Sequence, residues 1–127
     1  MNPETIEWFN QAEYDLETAQ VMFHSGRYIY TVFMVHLSLE KALKALIVER
    51  TRKTPPKSHN LVVLFKESNA QLPETEFKFL VRLSIAGVTT RYPEELSKAI
   101  EQYPKPVAQE YLEIAGGVLK CLKLQAE

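Results

Sequence analysis

The stretch RYIYTVFMVHLSLEKALKALIVER, residues 27–50, decides the fold class of this chain. Val32, Val35, His36, Leu39, Leu43, Leu46 and Ile47 fall on one side at helical spacing, and Phe33, Leu37 and Val48 lie off that stripe. A helix that is apolar on two sides is central in a bundle or contributes to a subunit interface. Residues 27–50 are therefore expected to be the helix around which the others pack.

Upstream, Trp8, Ala12, Leu16, Ala19 and Phe23 recur with a period near 3.6 from Pro3 to His24. Pro3 suits a first helical turn, where its missing N–H has no partner to lose. Ser25-Gly26 ends that helix, with Gly26 able to adopt the left-handed cap conformation. Downstream, Thr51 to Ser58 reads as a basic loop broken by Pro55-Pro56, and Ser58 as the N-cap of a short helix through Leu61, Leu64 and Phe65. Pro73 opens a helix carrying Phe77, Leu80, Val81, Ser84 and Ile85, which is expected to fade between Gly87 and Thr90. Tyr92 precedes Pro93 and is biased away from helical geometry, which puts Arg91-Tyr92 at a break. A weak helical segment spans residues 93–100. The last helix, from Val107 to about Leu124, is expected to bury Val107, Tyr111, Ile114, Ala115, Val118 and Leu122. Gly116-Gly117 in its middle predicts close approach of another helix, since each glycine there costs about 1 kcal/mol against Ala. No segment alternates as a strand does and no linker divides the sequence. Residues 1–127 read as one all-α domain, an up-and-down bundle of four principal helices plus one or two short ones.

With 127 residues, 46% of them hydrophobic, the chain is long enough for one real core. A net charge of −1 argues against nucleic-acid binding through a bulk positive field. Cys121 is the sole cysteine, which excludes an internal disulfide and a thiolate zinc cluster. No apolar run approaches a membrane span and no signal peptide is visible, so a cytoplasmic protein without membrane attachment is expected. The charge is uneven. Residues 1–26 carry five acids and neither Lys nor Arg, whereas residues 41–57 hold Lys41, Lys44, Arg50, Arg52, Lys53 and Lys57 against Glu49. Either an acidic first helix faces a basic neighbour, or the loop is a solvated or phosphate-seeking patch.

Enzyme signatures are sparse. No glycine-rich phosphate loop, zinc-protease histidine pair or nucleophile elbow occurs, and His24, His36 and His59 lack metal-ligand spacing. No metal and no cofactor are expected. A few polar positions carry what chemistry there is. Asp15 borders the apolar stripe of the first helix and needs a partner if buried. His36, Glu40 and Lys44 are spaced four apart on one face, and are expected to form a polar line meeting Asp15 across the bundle, structural or ligand-facing. Arg91, at a helix break, presents a planar fork suited to phosphate, or else caps the carbonyls of its helix.

The order of these elements resembles the HEPN family (higher eukaryote and prokaryote nucleotide-binding domain). The residues that carry the resemblance are Trp8-x3-Ala12-x2-Asp15-Leu16-x2-Ala19, Gly26-x-Tyr28, Glu40-Lys41-Ala42-Leu43-Lys44-Ala45-Leu46, His59-Asn60-Leu61, Thr90-Arg91-Tyr92-Pro93, and the pattern from Ala115 to Leu119. The resemblance implies a helical bundle, commonly a homodimer, and frequent pairing with a separately encoded minimal nucleotidyltransferase, sometimes as a toxin–antitoxin pair. It points to Arg91, Tyr92, Lys44 and His59 as nucleotide- or phosphate-binding residues, beside the polar network of Asp15, Glu40 and His36. Many members are ribonucleases marked by an Arg followed four to six residues later by His. Here Arg91 is followed by Tyr-Pro-Glu-Glu-Leu-Ser-Lys, and no histidine occurs after His59. The expectation is thus a nucleotide-binding partner subunit without catalytic residues. The alternatives are a ribonuclease toxin using Arg91 at a dimer interface, with RNA as substrate, and a purely structural dimerisation module.

Overall fold

In the computed structural model, which describes residues 1–127, the chain forms six helices and no strand. They are α1 (Pro3–His24), α2 (Tyr28–Thr51), α3 (Leu61–Ser68), α4 (Glu74–Arg91), α5 (Leu96–Gln102) and α6 (Lys105–Gln125). The four long helices are α1, α2, α4 and α6, so the all-α bundle expected from periodicity is the fold observed. No helix is long and apolar enough to cross a membrane.

Local chemistry sets the boundaries. Asn2 caps α1, its side chain accepting from the Thr5 N–H at 2.9 Å, while its own N–H donates to Glu49 near the end of α2 at 2.9 Å. That pair of bonds ties the start of one helix to the end of the next. Gly26, at φ 74°, makes the left-handed turn into α2. Asn60, rather than Ser58, caps α3: its side chain accepts from the N–H groups of Val62 and Val63. Ser58 instead accepts from the Asn60 N–H at 3.0 Å, which shapes the approach to the cap. Helix α4 does not fade at Gly87 but continues to Arg91, and α5 lies slightly later than the weak segment expected from residues 93–100.

Helix α2 packs against all five others, which accounts for its two apolar sides inside a single chain. Val32, Val35, Leu39, Leu43 and Leu46 are fully enclosed, and Phe9, Ala12 and Ala19 of α1 cover one flank. Leu61 and Leu64 of α3, with Phe79, Leu80 and Leu83 of α4, cover the other; Ala115, Val118 and Leu122 of α6 close the bundle. Two expectations about packing also fail. Ile85, placed on the packed stripe of α4, is exposed, because Phe79, Leu83 and Ala86 supply the face that meets the core. Gly116 and Gly117 admit no neighbouring helix: a Cβ on either would meet nothing within 4 Å. The close approach happens at Gly87, where an added Cβ would sit 2.1 Å from Cδ2 of His36. Here α4 lies directly on an imidazole of α2.

Candidate functional site

Two polar residues of α2, His36 and Glu40, face the α4 backbone at Gly87 and the loop before α3. Glu40, 3% exposed, is the hub. Lys44 Nζ donates to it at 3.2 Å, one helical turn on, and His59 Nδ1 lies 3.0 and 3.1 Å from its two carboxylate oxygens. A nitrogen bridging both oxygens of a carboxylate is the one that bears the proton. The imidazole of His59 is more than half exposed, so its Nε2 is left free toward solvent. Lys44 also lies 5.9 Å from the ring centroid of Trp8, which completes its enclosure.

His36 lies one turn before Glu40 and behaves differently. Its Nδ1 is 3.8 Å from Glu40, beyond hydrogen-bond range, and has no partner. Burial pushes its pKa down to about 4; Glu40 opposes the shift, and the positive charge of Arg91 reinforces it. His36 is therefore neutral at pH 7, a flat ring clamped beneath Gly87.

Arg91 ends α4 where Tyr92 leaves the helical region at φ −133°, ψ 69°. Its guanidinium lies 5.1 Å over the ring of Phe33 and enters no ion pair or hydrogen bond within the chain. It does not cap the carbonyls of α4. A stacked but unpaired guanidinium keeps its donor fork available. His36, His59, Gly87, Val88, Arg91 and Tyr92 together line a cleft of about 210 Å³. The expected site residues thus largely come together: Arg91, Tyr92, His59 and His36 on the cleft wall, with Glu40 and Lys44 behind His59. Asp15 does not join them. It pairs with Lys41 at 2.9 Å on the α1 side of α2, because a one-residue step from Glu40 to Lys41 turns the side chain by about a quarter of a helical turn, toward α1. The Asp15–Lys41 pair is the acidic first helix facing its basic neighbour, and Glu13–Lys123 at 2.6 Å adds another such contact.

Three features escaped the sequence reading. Phe33, seen only as lying off the main stripe, is the platform for Arg91. Gly87 was read as fraying of α4, although a glycine amid apolar helical residues is also the mark of close packing. The pairing of His59 with Glu40 joins residues nineteen apart and has no local signal.

A six-helix bundle built round one central helix, with an arginine and a histidine meeting at the end of α4, defines the class of fold. A model of the HEPN domain matches residues 5–125, and the chain belongs to that family of nucleotide-binding and ribonuclease-type domains. Among solved structures, TT1696 from Thermus thermophilus is similar with a TM-score of 0.83 at 26% identity, over 97% of this chain and 98% of that one. ST0689, an archaeal HEPN homologue, superposes with a TM-score of 0.79 over 99% of this chain and 100% of its own, at 23% identity, a likeness of fold alone. No curated protein matches in sequence.

Proposed function

We propose that the chain is a nucleotide- or phosphate-binding subunit that serves a separately encoded minimal nucleotidyltransferase, and that it works as a homodimer without being itself a catalyst. The observation that carries the binding reading is the unpaired Arg91 fork stacked on Phe33 beside the free edge of His59. Lys44 supports the site indirectly, since its charge is held by Glu40. The dimer reading rests on α4, not on α2, whose two apolar sides are explained within one chain. Ile85 and Val88, at i and i+3, are exposed side by side on α4, with Tyr92 exposed just past its end, and apolar patches of this kind mark interaction surfaces.

Arg91→Lys keeps the charge and loses the planar fork. Affinity for a nucleotide falls by about 1–2 kcal/mol if one bidentate charge-assisted contact is removed, with the melting temperature nearly unchanged. Calorimetric titration and a melting curve on the same variant check both halves. Unaltered affinity would remove Arg91 from the site. Light scattering tests the dimer, and co-purification with the product of a neighbouring nucleotidyltransferase gene tests the partner.

One observation favours a second reading, a ribonuclease. Glu40 holds Nδ1 of His59 and leaves Nε2 exposed, the arrangement a general base requires, on the same cleft as an arginine. RNA cleavage that vanishes in both Arg91→Ala and His59→Ala would establish this second reading over the first.

A further inference from the structure

Resting on the reading of the chain as a subunit that serves a separate protein, we infer that this protein docks in the groove between the first turn of α2 and α5, through an acidic segment that inserts an apolar side chain.

The build of α5 argues first. Leu96 and Ile100 stand one turn apart on this helix and are 61% and 53% exposed, whereas Ala99 is its one buried residue. An amphipathic surface helix ordinarily turns its large apolar residues to the core and its polar ones to water. Here the order is inverted: a methyl group holds α5 to the bundle, and its two large aliphatics are left uncovered. Tyr30 of α2, 53% exposed, completes a set of three large apolar residues around one groove. Clusters of this kind mark contact surfaces, whereas single exposed apolar residues do not.

The groove gives the shape of what enters. The turn at Gly26-Arg27 and the first residues of α2 line one side, and Leu96, Ile100 and Tyr103 the other, around about 200 Å³. Pockets that enclose whole small ligands run to roughly 300–1,000 Å³, so this space takes a side chain or two of something larger. An apolar anchor seated in such a pocket is what fixes a contact between proteins.

Charge names the chemistry around that anchor. Arg27 is the only charged residue on the groove wall, and it enters no ion pair within the chain. Lys105, also without an ion pair, lies 5.9 Å from the ring of Phe23, which packs on Tyr28 of the groove at 5.6 Å. The floor is the first turn of α2, which no side chain caps, so its N–H groups add partial positive charge. The nearby acids face elsewhere. Glu101 lies about 100° round α5 from Ile100, on the side away from Leu96, and Glu94 and Glu95 line a separate cleft with Lys98. A positive rim around an apolar slot fits an apolar side chain flanked by carboxylates.

A second copy of the chain does not meet that description. A two-fold contact sets the groove against its own image and brings two unpaired arginines together. The apolar patch on α4 shares no residue with the groove.

The test is calorimetric titration of the whole protein with the purified product of a neighbouring nucleotidyltransferase gene, at low and moderate salt, beside light scattering of the protein alone. Leu96→Ser/Ile100→Ser should weaken binding by roughly tenfold or more, and Arg27→Glu by about tenfold with a smaller salt dependence. Both variants change exposed side chains, so their melting temperature and oligomeric state should match those of the wild type. Binding that both variants leave unchanged overturns the groove while the subunit reading stands. A variant that turns a dimer into a monomer gives the groove to a second copy and overturns the proposal. Wild-type protein that does not bind in this titration overturns the subunit reading, and the docking proposal with it.

Discussion

The two seams of α2 each bury a carboxylate, and they treat it in opposite ways. On the α1 side, Asp15 meets Lys41 at 2.9 Å, and the Ser38 hydroxyl donates to the Ala12 carbonyl at 2.7 Å. These contacts run between helices kept close by Ala12 and Ala19, with Asp15 Oδ2 held by its ion pair to Lys41 rather than by a hydrogen bond and the Thr5 hydroxyl left without a partner. On the α4 side, Glu40 gathers Lys44 and His59, leaves Nδ1 of His36 without a hydrogen bond, and lies behind a cleft with an unpaired arginine on its wall. A seam that satisfies its own charges holds helices together. A seam that leaves donors facing outward holds something else. The contrast assigns structure to the first and ligand contact to the second, and substitutions can break it.

The largest effect is expected at Gly87. Gly87→Ala drives a Cβ to 2.1 Å from the His36 ring, which is clamped and 2% exposed, so neither backbone nor ring has room to yield. Overpacking ordinarily costs about 1–3 kcal/mol, and this contact should exceed that range, at about 4 kcal/mol in denaturant unfolding. Removing the ring in Gly87→Ala/His36→Ala should recover part of the loss. If Gly87→Ala were neutral, the α2–α4 seam would be looser than described.

Acid should act on the same seam. The pKa of His36 is lowered by burial to about 4, against 6.5 in the unfolded chain. The unfolded state therefore binds the proton first, and the stabilisation present above pH 6.5 is lost as pH falls toward 4. The shift corresponds to at most about 3 kcal/mol. His36→Phe, which has no titrating group, should flatten the pH dependence of denaturant unfolding over that window. Glu49, held below the usual carboxylate range by the N–H of Asn2, adds a loss of the same sign at lower pH.

Asp15→Asn should cost about 1 kcal/mol, because it leaves Lys41, itself partly exposed, without its counter-ion. Phosphate affinity should not change. A loss of affinity there would mean that the two seams are coupled, and the division drawn between them would fail. The smallest effect has the opposite sign. Gly117→Ala, in a helix interior with open space around the new methyl, should stabilise by about 0.5–1 kcal/mol in thermal or denaturant unfolding. Destabilisation would indicate a contact made only in an assembly.

The sequence by itself determined the helices and which of them is central. Helical periodicity is a local property, and α2 shows two apolar sides whether or not its neighbours are known. Arg91 was also legible, because Pro93 marks the break that presents it. Which residue answers which across the bundle was decided by tertiary structure alone. Asp15 was assigned to Glu40 and Lys44 but pairs with Lys41, since adjacent helical positions point about 100° apart and only packing fixes which one faces α1. The glycines show the same division: the sequence offered Gly116-Gly117 as the place of closest approach, and the fold put it at Gly87. A missing side chain states that contact is permitted; the path of the neighbouring helix decides where contact occurs. His59 completes the case, a loop residue placed against a buried carboxylate nineteen positions away by the closing of α3 and α4 onto α2.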